Sequence, residues 1–91
     1  MPVKHIVVKG KVQGVFFRAT AKEVAIQLGV TGWIKNTEEG DVEAAVSGTE
    51  KQVNDFITWC KKGPSKAIVT SVEVNDLPDE TSFKEFTVVR K

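Results

Sequence analysis

Two short stretches of this chain stand out for chemistry, one with residue types that could grip an oxyanion and one that sets an asparagine at what reads as a strand end. The first is Gly10-Lys11-Val12-Gln13-Gly14-Val15-Phe16-Phe17-Arg18, a glycine turn that ends in an arginine. Gly10 and Gly14 permit unusual backbone angles and let the main chain come close to a ligand. Where such a turn enters a helix, successive N–H groups can point at one anion, and the helix dipole adds to the attraction. Arg18 supplies a permanent positive charge whose planar fork matches phosphate or carboxylate. The stretch is not a Walker A loop, because no Gly-Lys-Ser/Thr follows, and it lacks the G-x-G-x-x-G dinucleotide spacing. Taken alone, it serves equally well as a turn that merely needs glycine.

The second stretch is Gly32-Trp33-Ile34-Lys35-Asn36, with Gly40 closing the loop after it. Asparagine at a strand end commonly starts a turn by bonding its own backbone. Trp33 is read as a core residue. His5 sits far in sequence from both stretches and is read as structural or exposed. Cys60 fits an apolar helix face and has no histidine motif to activate it. Trp59 lies off the main apolar stripe, at its edge, and Lys11 at most tunes the loop's potential.

The elements that must position these residues are legible from periodicity. Residues 3–9 are rich in β-branched side chains and read as a strand. Phe17, Ala21, Val24, Ala25 and Leu28 then mark one face of a helix, with Gly29 placed to cap it. Residues 30–36 and 41–47 read as a hairpin joined through Thr37-Glu38-Glu39-Gly40, with Val42, Ala44 and Val46 on one face. Thr49 and Gln52 form a capping box for a second helix whose buried face is Val53, Phe56, Ile57 and Cys60. Lys61 and Lys62 complement its dipole, and Gly63-Pro64 stops it. Residues 67–75 read as a strand with Ile68, Val72 and Val74 together, followed by a polar, proline-containing loop and a short strand around 86–89. The order predicts an α+β, ferredoxin-like sandwich: βαββαβ plus a C-terminal strand, with both helices on one face of an antiparallel sheet.

The chain has 91 residues, 41% of them hydrophobic, which predicts a single domain over residues 1–91 with a core that needs no staple. One cysteine precludes an internal disulfide and suits a reducing cytoplasm. The first ten residues carry no apolar signal segment, and no stretch approaches the roughly 18 apolar residues of a membrane span. With 13 basic and 12 acidic residues, the net charge of +1 lacks the basic excess typical of a nucleic-acid binder. A single histidine and a single cysteine are too few for a His/Cys metal site.

Together the two stretches resemble the acylphosphatase family. Its first signature, G-[RK]-V-Q-G-V-x-F-R, stands here as GKVQGVFFR, and its second, G-W-[VI]-x-N-x-x-[DE]-G, as GWIKNTEEG, with Glu39 where aspartate is frequent. Length, motif spacing and element order agree, and the part from Ser65 onward is the least characteristic. The resemblance implies hydrolysis of a small-molecule acyl phosphate by a monomeric, cytoplasmic enzyme that needs no metal or other cofactor. It implies no nucleic-acid or membrane partner. It further implies that the backbone of Gln13, Gly14, Val15, Phe16 and Phe17 holds the phosphate together with Arg18. Asn36 would position the attacking water and Thr37 would support it. The rival readings are an anion-binding regulatory module that no longer turns over, a single-strand RNA binder and a heavy-metal carrier. The RNA reading lacks stacking aromatics on the strands, and the metal reading lacks any C-x-x-C.

Overall fold

The computed structural model describes residues 2–78 and 81–90. The elements are β1 (Val3–Lys11), α1 (Phe17–Leu28), β2 (Thr31–Asn36), β3 (Val42–Ser47), α2 (Glu50–Lys62), β4 (Ile68–Asp76) and β5 (Phe86–Val88). The five strands form one sheet in the order β4-β1-β3-β2-β5. β1, β2, β3 and β4 pair antiparallel, as expected of a ferredoxin-like sandwich, while β5 adds to β2 in parallel and makes the sheet mixed. The polar loop expected before β5 lies partly outside the described residues, at positions 79 and 80.

The core lies between the helices and one sheet face. Ile6 and Val8 of β1, Ile34 of β2 and Val42, Ala44 and Val46 of β3 supply the sheet side, each at period 2. Phe17, Ala21 and Ala25 of α1 meet Val53, Phe56 and Cys60 of α2 above them. α1 ends where Gly29 takes the left-handed conformation (φ 83°) and its N–H bonds back into the last turn. α2 opens on the full capping box: Thr49 accepts from the Gln52 N–H, and Gln52 returns to the Thr49 N–H.

Two expectations about faces are corrected. Trp33 is not in this core. Because Ile34 and Asn36 project to opposite sides from their neighbours, Trp33 and Lys35 fall on the far face, where Trp33 is half-buried and the Lys35 ammonium lies 5.6 Å from its ring centre. His5 is half-buried there as well, with Nε2 2.6 Å from a Glu43 carboxylate oxygen. In β4 the expected face of Ile68, Val72 and Val74 is broken by a bulge. Lys9 opposes Ser71 but Gly10 opposes Val69, so Thr70 is the extra residue. The slip turns Val69 towards the core beside Val72 and leaves Ile68 61% exposed.

Gly32 is the tightest backbone crossing in the sheet. It holds φ +145°, a Cβ there would run into the Ala45 carbonyl oxygen, and its N–H reaches the Glu85 carbonyl at 3.0 Å just before β5. We expect Gly32→Ala to cost more than about 2 kcal/mol, since backbone strain and steric overlap add. Urea denaturation measures this, and a loss below about 0.5 kcal/mol, the ordinary scatter of surface substitutions, would contradict the account.

Candidate active site

Strand direction brings together segments distant in sequence. β1 and β2 each run antiparallel to β3, so they run parallel to one another, and Val42 of β3 stands opposite both Val8 and Asn36. β5 runs parallel to β2 with Val88 opposite Ile34. β1, β2 and β5 therefore finish at one end of the sheet. The loop after β1, Asn36 and Arg90 arrive there together, beside the start of α1. They enclose a cavity of about 440 Å³ bordered by Val12, Gly14, Phe16, Phe17, Arg18, Ala19, Asn36 and Arg90.

The loop offers this cavity main-chain donors. Phe16 occupies the N-cap position of α1 with φ 64° and ψ 24°, a left-handed conformation uncommon for a bulky residue, and no side chain caps the helix. The first helical hydrogen bond runs from the Thr20 N–H to the Phe16 carbonyl at 3.1 Å. Among the described residues, the N–H groups of Gly14, Phe16, Phe17, Arg18 and Ala19 donate to no partner in the chain. Unpaired N–H groups bordering a hollow at a helix start are an anion-binding arrangement.

Asn36 ends β2 on the core side and reaches the same cavity. Its Oδ1 atom is buried and has no hydrogen-bond partner among the described residues. A buried acceptor left open in this way is costly and calls for a donor from outside the chain. Among the described residues, neither Arg18 nor Arg90 pairs with a carboxylate, and no acidic side chain borders the cavity.

The other expected site residues act from behind. Val15 is 8% exposed and belongs to the core. The Gln13 side chain donates to the carbonyl oxygens of Thr37 at 2.9 Å and Asp41 at 2.8 Å, which ties the loop to the β2–β3 hairpin. The Thr37 hydroxyl accepts from the Asp41 N–H at 3.1 Å, closing that hairpin just after Asn36. Neither Gln13 nor Thr37 borders the cavity. Sequence reasoning missed Val12, Ala19 and Arg90. For Arg90 a signal existed: Phe86, Val88 and Arg90 alternate at period 2, so the arginine inherits the core-facing side of β5.

Cys60 plays no part here. Burial pushes its thiol up to about 12, so it stays protonated and non-nucleophilic at neutral pH. Among the described residues, no three His, Cys, Asp or Glu side chains gather as a metal-binding group would require. Among the described residues, no helix is long and apolar enough to cross a membrane.

Comparison with known proteins bears on this geometry. A family model described as Acylphosphatase matches residues 4–88. An acylphosphatase of Methylococcus capsulatus is 41% identical, with 94% of each chain aligned. The crystal structure of acylphosphatase from Bacillus subtilis superposes with a TM-score of 0.94 at 31% identity, covering 99% of this chain and 100% of that one. Full-length HypF, solved in a phosphate- and nucleotide-bound form, matches with a TM-score of 0.85 at 25% identity over 98% of this chain and 12% of its own.

The Gln13 tether has a measurable consequence. Gln13→Ala removes two part-buried hydrogen bonds to carbonyls, and we expect a stability loss of about 1–3 kcal/mol. Denaturant unfolding checks the value. A neutral outcome would mean that loop and hairpin are held in place without it.

Proposed function

The chain belongs to the acylphosphatase family and hydrolyses a small-molecule acyl phosphate; from that premise we propose which of its residues perform the reaction. The loop N–H groups of Gly14, Phe16 and Phe17 and the Arg18 guanidinium hold the phosphoryl oxygens, Gln13 and Val15 keep that loop in shape from behind, and Asn36 directs the attacking water. The observation that carries this reading is the convergence on one cavity of unpaired loop N–H groups, Arg18 and the open Asn36 Oδ1. Thr37 supports the site through the hairpin that carries Asn36.

The chemistry suits so sparse a set. An acyl phosphate is a mixed anhydride, and its leaving group is a carboxylate that departs without a proton from a general acid. What remains is to position the phosphoryl group, stabilise charge on its oxygens and place water in line. Water oxygen forms a bond to phosphorus, the bond from phosphorus to the carboxylate oxygen breaks, and the carboxylate leaves with the electron pair. Asn36 cannot take the proton, because a carboxamide is too weak a base; its Oδ1 accepts a hydrogen bond from the water and fixes its direction. The water's proton passes to a phosphoryl oxygen of the substrate. Arg18 and Arg90 give the cavity a single sign of charge, which raises the local concentration of anionic substrate. We read residues 1–91 as one domain that works as a monomer in the cytoplasm.

Removing one preorganised transition-state donor typically costs about 10²–10³ in rate. Arg18→Ala is expected to lose at least that and to raise KM, because the charge also binds ground-state phosphate. Arg18→Lys fails to restore the fork. Asn36→Ala lowers kcat while leaving inhibition by inorganic phosphate largely intact. Hydrolysis of benzoyl phosphate, followed by ultraviolet absorbance with and without EDTA, measures each. Loss of phosphate inhibition in Asn36→Ala would reverse the roles given to Asn36 and the loop.

A further inference from the structure

We propose that the Phe16 ring is the contact for the acyl part of the substrate, so that this enzyme favours acyl phosphates with an aromatic or bulky apolar acyl group. The proposal rests on the reading of the loop as the phosphate cradle and deepens it.

Three departures from the stable choice coincide at Phe16. Its backbone is left-handed, a conformation that costs a bulky residue roughly 1–2 kcal/mol and that glycine or asparagine takes more readily. It stands at the N-cap of α1, where serine, threonine, aspartate or asparagine would satisfy a free N–H, and it offers no capping bond. Phe16 is 78% exposed, the most exposed large hydrophobic residue among the described residues. Strain of this kind, held against all three preferences, clusters where a residue serves a ligand.

The cavity identifies the ligand. Phe16 borders it together with Gly14, Arg18 and Asn36, and the Phe16 N–H is one of the unpaired donors of the cradle. A phosphoryl group held by that N–H lies a few bonds from the same residue's ring, and the acyl carbon is joined to phosphorus through a single oxygen. An acyl group leaving the cradle towards solvent therefore meets the ring, and the two bury apolar surface against each other. Ala19, also at the cavity wall, adds no polar group that would discourage an apolar acyl chain.

Phe16→Asn removes the ring while keeping a residue that tolerates the left-handed conformation, and Phe16→Tyr keeps the ring. The test compares kcat/KM for benzoyl phosphate and acetyl phosphate in wild type and both variants. Phe16→Asn is expected to lose about tenfold more towards benzoyl than towards acetyl phosphate, the scale of some 50 Å² of apolar contact, and Phe16→Tyr to retain the wild-type ratio. The urea midpoint of Phe16→Asn should move up, because strain is relieved and little packing is lost. Calorimetric binding of phenylphosphonate against methylphosphonate reads the same ratio without turnover. Absence of turnover in wild type would thus count against the catalytic reading, and the ratio reports on the ring alone. Equal losses for both substrates, an unchanged ratio, or a lowered midpoint would each overturn the proposal.

Discussion

The site depends on the pairing of β3 with two neighbours. Both β1 and β2 lie antiparallel to it, and Val42 stands opposite Val8 of β1 and opposite Asn36, where β2 ends. A slip of one residue by β1 would turn Ile6 and Val8 out of the core, and a slip by β2 would turn out Ile34 and carry Asn36 to the far face. Burial of Val42, Ala44 and Val46 against the helices holds that register. The energy that places Asn36 next to Arg18 is therefore hydrophobic and lies in the sheet, not in the site. The Gln13 tether refines the placement by fastening the loop to the hairpin directly.

What the sheet delivers is a pocket built from main-chain N–H groups, guanidinium and a neutral amide. A general acid or base would need a titratable side chain with a shifted pKa. Cys60, whose thiol is pushed up by burial, sits in the core and does not border the cavity. The reaction fits that lack. A carboxylate leaves as an anion, so the protein's part is to hold and to orient.

The regular elements were legible because local chemistry and long-range packing agree in them. The Thr49–Gln52 box, the Gly29 cap and the spacing of Phe17, Ala21 and Ala25 each name a boundary or a face without reference to the rest of the fold. The misread positions depend on partners that local pattern does not reveal. Trp33 looks like core by composition, yet its side of β2 is decided by which face the helices cover. Ile68 follows the period-2 rule until the Thr70 bulge, which arises from pairing with Gly10 on another strand. Of the site, the motif segments announced Arg18 and Asn36, whereas Arg90 is joined to them only through the parallel docking of a three-residue strand.

That docking divides the cavity wall into parts of unequal firmness. Arg18 sits on a helix whose Phe17, Ala21 and Ala25 are in the core, and Asn36 ends a strand paired along its whole length. The two side chains proposed to act on the phosphoryl group and the water are thus on tightly packed elements, where their placement is most exact. Phe16 lies one residue before the helix, with its ring in solvent, and Arg90 lies beyond the last strand. Side chains there can change without disturbing the core beneath them. A change at Phe16 can therefore alter the cavity's rim while the backbone of the loop beneath it, the proposed phosphoryl cradle, stays as it is.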